Sequence, residues 1–435
     1  MLLLNIISII TYFHFSSSYL SIPFQVKSNV TKDENDIMPY LLFKGIYINI
    51  KFGSENEEFS LPLKMKTYPL YISSSSSNIK SKKYNEKSSK TYIKLENTTI
   101  TSNQDLIEGY KSLDTISINN ITINKYSFIL TEKQITEESG GIGLKIAPTF
   151  EEYGIYKNIS SFITQLKKNN FINSFSFSFK YKNENEGLFI IGAEPDEIDP
   201  KHYNENNSIT VKSSLNYGGG RWMIKLYNVT FNGKQVFIGP YSYGEILSEV
   251  QFIYGVNNFR KIISSDFFNQ SGCFEKYNEK FGFTYFYCNE NIDIKKFNDL
   301  IFTSEEKNHF IFTYKDLFYN FKGFNYFLVV FGKDNSWSLG QIFLRKYYTV
   351  FNSDKKVVTW YFYEEKKGNF NILLFFCIIF FIIIIGLVIY LYYFKKTIIL
   401  KKKKRANELE DDYEYIPEKK SDLEMNKNKL FSSLI

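Results

Sequence analysis

An all-β ectodomain followed by one membrane-spanning helix is the architecture that this 435-residue sequence predicts, and three observations predict it. Short segments alternate apolar and polar residues from about Leu41 onward. A run of 24 uncharged residues lies near the C-terminus, and every N-x-[ST] sequon precedes that run.

The alternating segments are GIYINIKF, FSLPLKM, TISINNITI, SFSFSFKY, GLFIIGAE, WMIKLYNVTFNG, FIFTYKDLF and YYTVFN. Side chains of a strand point to opposite faces in turn, so this period of two, punctuated by Gly, Asn and Ser, reads as half-buried strands. Helical patterns are few. SSFITQLKKNNFI, at 160–172, predicts one short helix entered from a Ser N-cap, with Phe162, Ile163, Leu166 and Phe171 spaced along it. The Ser-, Lys- and Asn-rich segment from Ser73 to Lys90 reads as a surface connection.

Residues 1–19 form an apolar run ending in small polar residues, the pattern of a signal peptide, although no basic residue follows Met1. The apolar run at 371–394 is long enough to cross a hydrocarbon core of about 30 Å. Lys395, Lys396 and Lys401 to Arg405 follow it, and the positive-inside rule puts them in the cytosol. The expected topology is single-pass type I, in the secretory or endosomal system or at the cell surface. Residues 395–435 are then a basic, disordered cytosolic tail in which Tyr413 to Ile416 match a tyrosine sorting signal. Because these basic runs supply much of the formal net charge of +7, the charge argues for topology and not for a nucleic-acid partner.

A lumenal ectodomain fits the remaining signals. The sequons begin at Asn29, Asn97, Asn120, Asn158, Asn206, Asn228 and Asn269, and are glycosylation candidates. Of the three cysteines, Cys377 lies in the apolar run, leaving Cys273 and Cys288 to form one disulfide in an oxidising compartment. His14, His202 and His309 are too few and too scattered for a zinc cluster or a triad, so neither metal nor cofactor is expected.

The order of the segments resembles the pepsin-like family of aspartic endopeptidases from about residue 45 to about 363. GIYINIKFGSENEEFSLPL resembles the family's opening hairpin, KKYNEKSSKTY its "F-x-P-x-x-S-S-T-Y", and GGIGLKI at 140–146 its "D-G-I-L-G-L-G". GLFIIGAEPDEIDPKHY resembles the end of the first lobe. SWSLGQIFLRKYYTVFN, at 336–352, is close to "W-I-L-G-D-x-F-L-R-x-Y-Y-x-V-F-D". The resemblance implies a bilobal fold, with an N-terminal lobe at 38–205, a C-terminal lobe at 206–366, and Cys273–Cys288 as the second lobe's disulfide.

The family's reaction needs one Asp-[TS]-Gly loop per lobe, because two close carboxylates share one proton and act as acid and base. In this register Lys64-Met65-Lys66 stands in the first loop and Ser248-Glu249-Val250 in the second, so Lys64 and Ser248 occupy the expected Asp positions. No Asp occurs between Asp36 and Asp105, or between Asp199 and Asp266, so no small shift restores either loop. Ser102 falls where the family has its flap Tyr. A buried ammonium is costly unless paired, and Glu249 is the suggested partner for Lys64. The resemblance thus implies a pseudopeptidase, a membrane-tethered ectodomain that binds an extended peptide or a protein. The alternative is an active membrane-bound aspartic endopeptidase using other carboxylates.

Overall fold

The computed structural model describes residues 19–33, 36–101, 106–119, 121–134, 138–146, 160–214, 220–236, 241–333, 336–364 and 370–411. The expected signal segment up to residue 18, Ser102, Asn120, Asn158, Tyr413 and Ile416 lie outside these residues. Two compact units are present, Met1–Glu364 and Glu365–Ile435.

In the first unit the alternation is realised as strands. The first half holds β1 (Leu20–Ser28), β2 (Lys44–Phe52), β3 (Glu57–Lys64), β4 (Leu70–Ser73), β5 (Ile93–Thr101), β6 (Leu106–Ile118), β7 (Ile121–Gln134), β8 (Gly140–Gly143), β9 (Ser176–Tyr181) and β10 (Glu186–Ile191). Along β2, Ile46, Ile48, Ile50 and Phe52 are buried while Asn49 and Lys51 are exposed, as a pleat requires. β1 starts well before residue 38, where the sequence reading began the first lobe. Its Leu20, Ile22, Phe24 and Val26 are buried, and it pairs with both β10 and β2.

The helix expected at 160–172 spans Phe162–Lys168, and the Ser161 side chain accepts the Thr164 N–H as its N-cap. One other expectation is overturned. In the segment Ser73 to Lys90, Ser73, Ser74, Ser77, Ile79 and Tyr84 are buried. Tyr84 packs with Phe52, Phe59 and Phe128, and its hydroxyl donates to the buried Asp114. Polar composition concealed this aromatic anchor.

The second half contributes β11 (Ser208–Lys212), β12 (Met223–Phe231), β13 (Lys234–Gln235), β14 (Ser242–Ile246), β15 (Ile253–Tyr254), β16 (Cys273–Asn278), β17 (Phe283–Asn289), β18 (Leu300–Ser304) and β19 (His309–Phe312). It continues with β20 (Phe318–Phe321), β21 (Phe324–Phe327), β22 (Val329–Val330), β23 (Trp337–Leu339), β24 (Tyr348–Asn352) and β25 (Val357–Tyr361). Strands of both halves share one sheet, in the order β11-β25-β24-β9-β10-β1-β2-β3-β8-β4-β7-β6-β5. The junction is packed with aromatic rings: Phe177 stacks on Phe351 at 4.8 Å, and both meet the buried Trp222. Ser176 and Ser178 are buried as well, because this part of β9 is covered on both faces.

A second sheet runs β19-β18-β12-β14-β23-β15-β22, and a small one β16-β17-β21-β20. In the small sheet Cys273 faces Cys288 across a hairpin and the two are bonded, as expected. Mostly strand, with one apolar helix near the C-terminus, is therefore the fold class.

The second unit is the helix Phe370–Asp411. Its stretch Phe375–Arg405 contains an 18-residue window of mean hydropathy 3.0 and is, among the described residues, the one helix long and apolar enough to cross a membrane. It extends past the run 371–394 because Thr397 to Leu400 resume the apolar pattern after two lysines.

Candidate functional site

The two halves of the first unit repeat one device, and the device positions the site. In the first half, β3 runs parallel to β8, with Leu63 opposite Ile142 and Lys64 opposite Gly143; β4 then pairs antiparallel to β8. In the second, β14 runs parallel to β23, with Ile246 opposite Leu339, and β15 pairs antiparallel to β23. The glycine after each central residue has no room for a side chain. A Cβ on Gly143 would lie 2.4 Å from the Tyr68 carbonyl carbon, and one on Gly340 2.1 Å from the Phe252 oxygen.

Matching Leu63 with Ile246 places Lys64 opposite Leu247 in the repeat, Met65 opposite Ser248, and Lys66 opposite Glu249. This corrects the sequence register by one residue: Leu247, not Ser248, is the counterpart of Lys64. The Leu247 N–H donates to the Leu339 oxygen at 2.9 Å, continuing the strand past Ile246 and fixing that count.

Ser248 has a different task. It is fully buried, and its hydroxyl donates to the Leu63 carbonyl at 2.9 Å, tying the second loop to the first. The Ser248 carbonyl accepts from the Gln341 amide at 2.8 Å, and the same Gln341 nitrogen donates to the Lys44 carbonyl at 2.6 Å. Trp222 adds a tie, its indole N–H donating to the Leu144 carbonyl at 2.7 Å.

The Lys64 ammonium is ion-paired with Glu138 at 2.5 Å, with side chains 14% and 11% exposed. Glu138 also accepts from the Tyr47 hydroxyl at 3.4 Å and the Asn29 amide at 3.5 Å. The partner of Lys64 thus comes from its own half. Glu249, the partner suggested by sequence, accepts the Lys66 backbone N–H at 3.1 Å, and its other oxygen lies 3.4 Å from the Ser248 hydroxyl oxygen. Burial pushes its carboxyl up, an effect opposed by the charges of Lys66 and Lys64. Lys66 reaches Glu245 at 3.5 Å, and Arg221 contacts the same carboxylate at 3.5 Å. Burial pushes the Tyr47 hydroxyl up too, with the Glu138 charge adding to it.

Of these groups, Asn29, Tyr47, Lys64, Lys66, Glu138 and Glu249 line a cavity of about 220 Å³ together with Phe43, Pro62, Thr67, Leu247 and Val250. Its floor combines apolar wall, two lysines and carboxylates already engaged. Sequence reasoning missed Glu138 and Glu245, which lie in no motif and meet the lysines only through the strand crossings. Among the described residues no group of three His, Cys, Asp or Glu could hold a metal ion. His202 bonds Asp199 at 2.9 Å and His309 bonds Thr303 at 3.0 Å; neither lines the cavity.

The profile of eukaryotic aspartyl proteases matches residues 46–360. The chain belongs to that family. The match covers both strand crossings and both loops, so this family member carries Lys64 and Leu247 where the repeat calls for a matched pair. No curated protein matches the chain.

Proposed function

We propose that the chain is a pseudopeptidase: a pepsin-like ectodomain, anchored by its C-terminal helix, that holds extended peptide in its cleft without cleaving it. The observation that carries this reading is the pair of equivalent loop positions, filled by an ion-paired ammonium at Lys64 and an apolar side chain at Leu247. Peptide hydrolysis by this family needs a water held between one ionised and one protonated carboxyl group. Lys64 cannot accept the proton of that water, and Leu247 can neither accept nor donate. Glu249 is close in sequence, but its carboxyl group accepts the Lys66 N–H and it is the counterpart of Lys66, not of Lys64.

Binding does not need the dyad. Strand edges and flanking pockets hold extended chains through main-chain hydrogen bonds, and Phe43, Pro62, Leu247 and Val250 offer the cavity apolar wall. The topology we propose is type I, with the basic residues after the span in the cytosol.

The test is capture from a peptide mixture by the ectodomain ending at Glu364, beside a Val250→Trp variant that fills the cavity. Peptides eluted intact from the wild type and lost in the variant support the reading. Equal capture by both, or eluted peptides bearing new termini, count against it.

A further inference from the structure

The helix of the second unit carries a feature that anchoring does not use. Between Lys395 and Arg405 it holds seven basic residues, at 395, 396 and 401–405, and no acidic one. The helix is continuous through all of them, and these basic side chains are exposed.

Three observations say what this collar faces. At a helical rise of about 1.5 Å per residue, the segment from Phe375 to Leu400 is about 39 Å long. That exceeds a hydrocarbon core of about 30 Å but stays within the roughly 40–45 Å that includes both headgroup layers. Seated this way, Lys401 to Arg405 emerge at the level of the lipid phosphates. Lys395 and Lys396 reach the same level by extending their flexible stems along the apolar surface.

Second, five consecutive helical residues turn about 100° apart and so surround the helix. Such a ring suits lipids arranged on every side better than a single protein groove. Third, the acidic residues Glu408, Glu410 and Asp411 come only after the ring, three or more residues farther from the span. Positive charge lies next to the membrane and negative charge away from it, the order that an anionic surface favours.

We infer that the ring Lys401 to Arg405, with Lys395 and Lys396, binds anionic lipid headgroups in the leaflet where the helix emerges. This rests on the membrane anchorage proposed above. The shared chemistry is the phosphate-bearing anionic headgroup, with more densely charged headgroups held more firmly. Each basic residue at such a surface multiplies the attraction about fivefold at low salt, and the effect fades once the screening length falls below the distance to the phosphates.

The experiment uses the full chain reconstituted into phosphatidylcholine vesicles containing a minor share of phosphatidylserine, with a second set containing a phosphoinositide instead. The protein is extracted in mild detergent and its retained lipids are counted by mass spectrometry. The wild type should retain anionic lipid at several times its bulk share. That excess should vanish in molar salt and in a variant carrying Lys401→Gln, Lys402→Gln, Lys403→Gln, Lys404→Gln and Arg405→Gln, and should persist when the four lysines become arginine.

Retention at the bulk ratio by the wild type, or an excess unchanged in the glutamine variant, overturns the inference while leaving anchorage intact. A chain that stays outside the vesicle fraction after alkaline extraction overturns both.

Discussion

Removing the Lys64 ammonium tests the electrostatics of the cleft floor. Lys64→Met keeps much of the side-chain volume and leaves the Glu138 carboxylate beside the Tyr47 hydroxyl without its cation. Breaking a buried ion pair from one side costs about 3–5 kcal/mol, and the slight exposure of both side chains points to the lower end, about 3 kcal/mol. For a folded unit of this size that is a fall in Tm of about 6 °C, at about 2 °C per kcal/mol. Replacing both partners, Lys64→Met with Glu138→Leu, removes the stranded charge and should recover stability to within about 1 kcal/mol of the wild type. Thermal unfolding of the four proteins in the double-mutant cycle supplies the coupling energy. A double variant no better than Lys64→Met alone would refute the idea that the pair is the unit, as would a single variant as stable as the wild type.

Three further outcomes follow from the same geometry. Replacing Cys273 and Cys288 by serine opens a loop of 15 residues and should cost about 3 kcal/mol by chain entropy, measured as a shift in denaturant midpoint. Glu249 has a folded-state pKa above its unfolded value, so the folded state binds more protons in that interval. Its contribution to stability is complete below the unfolded pKa and is lost as pH rises through the folded one, and Glu249→Gln should flatten that segment of the pH–stability curve. Asn29, Asn97, Asn206 and Asn269 are exposed and should carry glycans on glycopeptide mapping. Asn228 should carry none, because it lies within β12 with its side-chain oxygen buried.

Much of this fold was legible because burial follows chemistry along a strand. Ile46, Ile48 and Ile50 announce their face, Ser161 announces the start of its helix, and the two cysteines outside the apolar run meet as expected. The absence of Asp from both loop windows was equally plain. What stayed hidden depends on contacts far apart in sequence. Glu138 sits in a charged stretch that resembles any solvated loop, yet the crossing of β3 and β8 brings it to Lys64. The second loop was misread by one residue because its flanks lack a strong motif, and only the pairing of Ile246 with Leu339 counts the positions. Tyr84 and Asp114 form a buried hydrogen bond that their Ser- and Lys-rich surroundings disguise. Local pattern reports which face is buried, whereas the partner of a buried polar group is a tertiary fact.

The central claim is that a member of a protease family here lacks the chemistry of its family, and peptide cleavage tests it most directly. Purified ectodomain, incubated with a complex peptide mixture from acid to neutral pH and followed by mass spectrometry of new termini, should yield none above the no-protein control. A Lys64→Asp, Leu247→Asp variant, run alongside, places carboxylates at the two positions that the strand register makes equivalent. Reproducible cleavage by the wild type that is abolished by pepstatin would contradict the account, and would mean that carboxylates other than those two positions carry the reaction.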